Sequence, residues 1–297
     1  MNTLCWSLTK NNGDKTDFFP FMYDMYYLSM VMAKSLGYRT VLYGNSNAIS
    51  KLREVCDEVI NIDFLDYQFF DDPKVYIWAT REGDYATIDG DIFIYKRLNF
   101  DENSFVNKPV DLIVEEFQPL NDWDKSLGKI NLDAPIPHAW RLFNSQNPSS
   151  CVFEWNYYKE TDSYNSGLVY WKNKEFRKYY VENYYKLREW YIDRREFFHQ
   201  NSHTMKVNVS ISSHFICEHL MRRLVHYYSL NVKSFNQTQQ NSYTHLVGSD
   251  KFVNPDHYLG IKFLVEEIKN LKNLGFMNPK LNIEKIYIEL SKLHKVL

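Results

Sequence analysis

The chain of 297 residues has little of what several familiar kinds of site are built from. Its four cysteines, Cys5, Cys56, Cys151 and Cys217, are scattered and form no Cys-x-x-Cys pair. That spacing offers neither a zinc site nor a disulfide framework, and it implies a reducing compartment. Glycine is scarce at 10 residues, and no glycine-rich phosphate loop of the dinucleotide or P-loop kind is present. Excess charge of one sign is also missing, since 35 Lys+Arg face 37 Asp+Glu. A basic footprint for general nucleic-acid binding is therefore not expected. No apolar run approaches about 18 residues, and Met1 leads into Asn-Thr-Leu-Cys-Trp without a basic segment and long apolar core. We expect a soluble cytoplasmic protein for which peripheral membrane contact stays open. No internal repeat or low-complexity segment is present.

Aromatic residues, by contrast, are abundant, with 23 Tyr and 20 Phe. Short β-favouring runs at 4–8, 39–43, 58–62, 85–88 and 110–114 alternate with helical spacing at 23–34, 50–56 and 73–81. Gly37 stands where a helix C-terminal stop belongs. Strands alternating with helices predict an α/β fold with a mostly parallel sheet, and residues 1 to about 95 read as a nucleotide-binding half. The strand at 110–114 ends at Glu115-Glu116, and prolines interrupt an irregular connection over 119–150. A polar turn at 161–167 then enters a further strand. Two helices follow. The first, over 174–198, carries Phe176, Tyr180, Tyr184, Leu187 and Tyr191 as one core stripe; the second, over 213–228, points Phe215, Ile216, Leu220, Leu224 and Tyr227 inward. His214, His219 and His226 lack zinc-helix spacing and read as surface or packing residues. Amphipathic helices over 258–274 and 283–297 close the chain, which suggests a main domain at 1–252 and a helical C-terminal extension at 253–297.

The centre of this organisation is the run Tyr85-Ala86-Thr87-Ile88-Asp89-Gly90-Asp91-Ile92-Phe93-Ile94. Asp89 and Asp91 are carried to the carboxyl end of a strand, where open α/β sheets expose groups to a ligand. Two carboxylates between apolar flanks are costly to desolvate unless something positive meets them. Mg²⁺ or Mn²⁺ prefers such oxygen ligands and fills its remaining positions with water and substrate phosphate. A solvated Asp-Gly hairpin turn between 85–88 and 92–95 fits the same residues.

Two later segments join this turn: Tyr164-Asn165-Ser166-Gly167 and His245-Leu246-Val247-Gly248-Ser249-Asp250-Lys251. In this order the three motifs resemble the family-8 glycosyltransferases of the GT-A fold, in which Asp-x-Asp, Phe-Asn-Ser/Ala-Gly and His-x-x-Gly-x-x-Lys follow one another. The run from Lys74 to Asp91 also resembles an uncharacterised bacterial glycosyltransferase-like family with an Ile-Asp-Gly-Asp-Val-Phe signature. The resemblance implies a metal-dependent glycosyltransferase that moves a hexose from a nucleoside-diphosphate sugar, UDP-linked, to a hydroxyl of a glycan, lipid-linked or other acceptor. It implies a metal held by Asp89, Asp91 and His245, with Mn²⁺ or Mg²⁺ as the ion. Donor contacts fall on Trp6, Ser7, Lys74, Asp89, Gly90, Gly248 and Lys251, and Asp162 and Asn165 orient sugar and acceptor. It further implies retention of the anomeric configuration, because no acid is evidently placed as an acceptor base; Asp162, Glu115, Glu116 and Glu218 are the candidates. The chain departs from the family at Phe252-Val253, where Pro-Trp is usual, and at Trp6-Ser7. A sugar-nucleotide or glycan-binding protein without turnover fits the same fold. So does a sugar nucleotidyltransferase, although residues 7–17 supply no glycine-rich basic loop for a triphosphate.

Overall fold

The alternating runs pair as a mixed sheet, seen in a computed structural model that describes residues 1–9, 22–65, 69, 71–100, 109–119, 162–193, 214–235, 239, 242–245, 266, 268–270 and 273. In chain order the elements are β1 (Thr3–Leu8), α1 (Met22–Ser35), β2 (Arg39–Gly44), α2 (Ser46–Leu52), β3 (Glu58–Asn61), α3 (Asp72–Thr80), β4 (Ala86–Ile88), β5 (Ile92–Ile94), β6 (Leu112–Pro119) and β7 (Asp162–Trp171). There follow α4 (Lys174–Ile192), a π-helical turn (His214–His219), α5 (Leu220–Tyr227), β8 (Val232–Ser234) and β9 (Tyr243–His245). Seven strands form one sheet in the order β3-β2-β1-β4-β7-β6-β8. Only β7 runs against its neighbours; every other pairing in that sheet is parallel. Leu4, Cys5 and Trp6 of β1 are fully buried, as a central parallel strand covered on both faces requires.

Local chemistry fixes the element ends. At the end of α1, Gly37 takes φ +79° and its N–H donates to the Lys34 carbonyl at 2.9 Å, while Tyr38 N–H reaches Ala33 at 3.1 Å. This is the glycine stop read from the sequence. The second helix begins at Ser46, four residues before the expected 50, because the Asn45 side chain accepts the Ala48 N–H at 2.9 Å and caps it there. The 161–167 stretch is not a turn. Strand β7 begins at Asp162, and its polar first half pairs with Glu116 to Pro119, which carries β6 well past the expected stop at Glu115-Glu116. A bulge between Val114 and Glu116 marks where this extended ribbon leaves the sheet's regular register.

Each face of the sheet carries its own core. Helix α1 and β5 cover one face, with Met30, Leu28, Phe93 and Phe235 buried. Helices α3, α4 and α5 cover the other, where Trp78, Trp171 and Tyr180 form an aromatic triangle with centroids 5.1–5.5 Å apart. The expected stripe of Phe176, Tyr180, Tyr184, Leu187 and Tyr191 is buried, as are Leu220 and Leu224. Tyr227 is not: it is 52% exposed, because it sits in the last turn of α5 where the chain leaves the sheet. His219 is buried and His226 exposed. Ile268 packs into the first core. The 120–150 connection, the helix at 283–297 and most of the 253–297 extension lie outside the described residues, as do the side chains of Phe215 and Ile216. Cys5, Cys56 and Cys217 are free thiols, and Cys151 lies outside the described residues. Among the described residues no helix is long and apolar enough to cross a membrane.

The aromatic triangle makes a stability prediction. Trp78 is 1% exposed and its Nε1–H donates to Thr87 Oγ1 at 2.9 Å. Trp78→Ala should cost about 3–5 kcal/mol in urea unfolding; a loss below about 1 kcal/mol would show that the ring does not anchor this face.

Candidate active site

The site grows from the end of β4. Asp89 N–H donates to the Gly167 carbonyl at 2.7 Å, so β7 holds the first carboxylate at the sheet's edge. Ile92 N–H then closes on the Asp89 carbonyl at 3.2 Å, which turns the chain through Gly90. Gly90 is not needed for its backbone freedom, since its φ is not positive. It is needed for space: a Cβ there would lie 2.1 Å from the Tyr26 ring, whose hydroxyl donates to the Ser7 carbonyl at 2.9 Å. The hairpin reading fails, because β5 does not fold back on β4. It pairs antiparallel with β9 instead, with Ile92 opposite His245. That register sets His245 beside Asp91, with Nε2 3.3 Å from Asp91 Oδ1.

Two buried charge contacts hold these groups. Lys74, on α3 and 3% exposed, puts its ammonium 2.8 Å from Asp89 Oδ1 and donates to the Ser166 carbonyl at 2.9 Å. Burial alone would lower the lysine's pKa, but Asp89 and Asp71 outweigh it and hold the group charged. On the other side, His245 Nδ1 meets Glu115 Oε1 at 2.7 Å. Burial favours the neutral imidazole, yet the carboxylates of Glu115 and Asp91 on either side raise its pKa to about 10. Burial raises the pKa of Glu115, opposed by His245. It also raises that of Asp89, opposed by Lys74 and reinforced by Asp91.

Ligand atoms of Asp89, Asp91 and His245 all lie within 4.8 Å of one another. Two carboxylates and an imidazole form a donor set suited to a divalent ion such as Mn²⁺ or Mg²⁺. Glu115 takes the outer position that metal-bound histidines usually give to a carboxylate, leaving Nε2 turned toward Asp91. Its Oε2 is buried without a hydrogen-bond partner among the described residues. Gly167 completes the fit, since a Cβ there would come within 2.4 Å of that oxygen and 2.9 Å of His245 Cε1.

The remaining expected residues divide. Asn165 is buried, and its Oδ1 accepts the Gly167 N–H at 2.8 Å, shaping the strand beside the site. Asp162 pairs through its backbone with Pro119, and its side chain lies outside what is described, as do Gly248 and Lys251 altogether. Trp6 does not face a donor: its ring is fully buried and its Nε1–H donates to Ser29 Oγ at 3.1 Å. Ser7 lies at the rim of β1, and its carbonyl is taken by Tyr26. Lys74 is sealed in by Asp89 and Ser166 rather than open to a phosphate. Sequence reasoning missed the partner role of Glu115, which was legible only as the carboxylate that ends the run Leu112-Ile113-Val114 and as a candidate base. Glu218, named from the sequence as a candidate base, instead accepts from Ser166 N–H with its Oε1 at 3.0 Å, a bond the sequence did not show.

No protein-family model matches the chain, and no curated protein matches it in sequence. Several solved structures share part of its arrangement. The glycosyltransferase GlyE of Streptococcus pneumoniae TIGR4 aligns with a TM-score of 0.41 and 11% identity, over 86% of this chain and 56% of that one. The chain thus spans little more than half the length of GlyE. The galactosyltransferase LgtC, in complex with donor and acceptor sugar analogues, aligns at 0.41 and 11% over 89% of this chain and 94% of that one. Mouse xyloside xylosyltransferase 1 gives 0.32 and 12%, over 78% and 77%. Likenesses this distant decide nothing about chemistry, which rests on the site itself.

Two outcomes follow from the geometry. Because His245 keeps its proton up to about pH 10 and an ion needs Nε2 unprotonated, Mn²⁺ affinity should rise with pH, by up to about tenfold per unit between pH 6 and 8. Calorimetry in buffers of different ionisation enthalpy should also count one released proton; a pH-independent affinity would remove His245 from the ligands. Gly167→Ala should weaken Mn²⁺ binding at least tenfold while the protein stays folded, and unchanged affinity would show that the cradle around Glu115 is loose.

Proposed function

We propose that the chain is a metal-dependent glycosyltransferase. It transfers a hexose from a nucleoside-diphosphate sugar, UDP-linked in the first instance, to a hydroxyl of a glycan or lipid-linked acceptor. The observation that carries this reading is the grouping of Asp89, Asp91 and His245 at the carboxyl end of a central strand, with His245 oriented by Glu115. When bound, Mn²⁺ or Mg²⁺ supplies a Lewis acid to the departing diphosphate.

The chain's own residues set up that chemistry. Lys74 pairs with Asp89, opposing the effect of its burial, and aims it, and Glu115 fixes the ring of His245. In this reading Lys251 adds a point charge to the diphosphate, Gly248 lets backbone approach it, and Asp162 and Asn165 orient sugar and acceptor. Lys74 acts on the donor through Asp89 rather than by touching it. Retention is favoured by how two candidate bases are engaged: Glu115 is bonded to His245 and Glu218 to Ser166. In this reading the departing phosphate takes the acceptor's proton, and Asp162 and Glu116 are the carboxylates still to be tested as base.

In a screen of UDP-sugars with Mn²⁺, release of UDP should depend on the ion. It should fall at least a hundredfold in Asp91→Asn, which keeps the side chain's size and an oxygen that can still face His245 Nε2. Unchanged release in that variant would overturn the assignment. Proton NMR of the first-formed product should show an α linkage from an α-linked donor; a β linkage would refute retention and direct attention to Asp162 and Glu116 as base.

A further inference from the structure

Side chains alternate along β7, so Tyr164 and Ser166 face the opposite side from Asn165 and Gly167, which adjoin Glu115 and His245. On that opposite side, the β6–β7 ribbon and α5 border an open pocket of about 500 Å³. This is within the usual size of a small-molecule site. Its walls include the rings of Phe117 and Tyr164, with centroids 5.3 Å apart and tilted by 43°. Arg222 and His226, one helical turn apart on α5, line it as well.

Arg222 gives the cavity its chemical character. Its guanidinium lies 5.3 Å from the Tyr164 ring centroid and donates from one terminal nitrogen to the Tyr164 hydroxyl at 3.1 Å. Its Nε is buried with no hydrogen-bond partner among the described residues. A guanidinium N–H shut away from water is costly unless something accepts from it, and the planar fork best matches a carboxylate or phosphate. Among the described residues no carboxylate lines the cavity to do so. Ser229 and Asn231 add polar groups at the wall, while half-buried Phe117 offers an apolar ring face and Tyr164 is buried beside it under the guanidinium. Between the lining residues His226 and Ser229 stand Tyr227 and Tyr228, 52% and 42% exposed, which carry the aromatic surface outward.

We propose that this cavity binds an anionic sugar unit. The acid, a uronate or a phosphate, lies on Arg222, which Tyr164 holds in place, and the C–H face of the pyranose lies over Phe117. Aromatic rings suit such a face because they offer broad apolar area, and a charge-assisted contact to arginine fixes its orientation. The site is separate from the Asp89–Asp91–His245 group, so it stands or falls independently of the transferase reading.

Calorimetry on the full chain in EDTA tests it, with methyl β-D-glucuronide and glucose 6-phosphate as probes and methyl β-D-glucoside and acetate as controls. At least one acidic sugar should bind tenfold or more tighter than both controls, and the tighter of the two identifies the acid. Arg222→Lys, which keeps a cation but loses the fork, should weaken that binding about tenfold, and Arg222→Ala should abolish it. Asp91→Asn should leave it unchanged. Binding no tighter than acetate or the neutral glucoside, or undiminished in Arg222→Lys, would overturn the proposal.

Discussion

The buried ion pair between Lys74 and Asp89 ties the site to the fold. An ammonium 3% exposed is tolerable only when fully met by opposite charge and hydrogen-bond acceptors. Lys74 meets Asp89 from β4 and the Ser166 carbonyl from β7, with Asp71 at 3.9 Å behind it. Ser166 in turn donates to Glu218 of the π-helical turn. Helix α3, two strands and the turn leading into α5 are thereby locked to one nitrogen. Truncating Lys74 would strand Asp89 uncompensated, the situation in which breaking a buried pair is most damaging.

The reversed strand decides what that lock positions. Because β7 runs against the sheet, its first half projects beyond the carboxyl end of β4, where it pairs with the far half of β6. The ribbon presents Asn165 and Gly167 on one side, beside Glu115 and His245, and Tyr164 and Ser166 on the other. Asp89 stands at the boundary, bonded to Lys74 on one side and within ligand distance of Asp91 and His245 on the other. The β5–β9 pairing is the second requirement, since only its register brings His245 across some 150 residues of chain to Asp91. Hydrogen bonds of Tyr95, from its N–H to the Ser242 carbonyl and from its hydroxyl to Thr244, hold that small ribbon shut.

Much of the strand and helix pattern was legible because burial imposes it: the apolar runs at β1 through β4 and the aromatic stripe of α4 have no other economical reading. The association of Asp89, Asp91 and His245 was legible through motif order rather than through physics. What stayed hidden depended on partners distant in sequence. Asp162-Ser163-Tyr164-Asn165-Ser166 looks like a turn, and it is a strand only because β6 supplies a ladder for it. Gly90 looks like a hinge, but its smallness serves the ring of Tyr26. Trp6 looks like an exposed rim residue until Ser29 is seen to take its N–H in the core. Glu115 showed in the sequence only as the carboxylate after an aliphatic run and a candidate base, and its bond to His245 belongs to tertiary structure alone.

The central claim is that the two aspartates and the histidine form one ion site. A crystal soaked in Mn²⁺, measured at the manganese absorption edge, tests it most directly. The account predicts one strong anomalous peak within bonding distance of Asp89, Asp91 and His245 Nε2, with Glu115 still on Nδ1. A crystal with no peak there, or with the ion bound by other residues while His245 stays between Asp91 and Glu115, would contradict it.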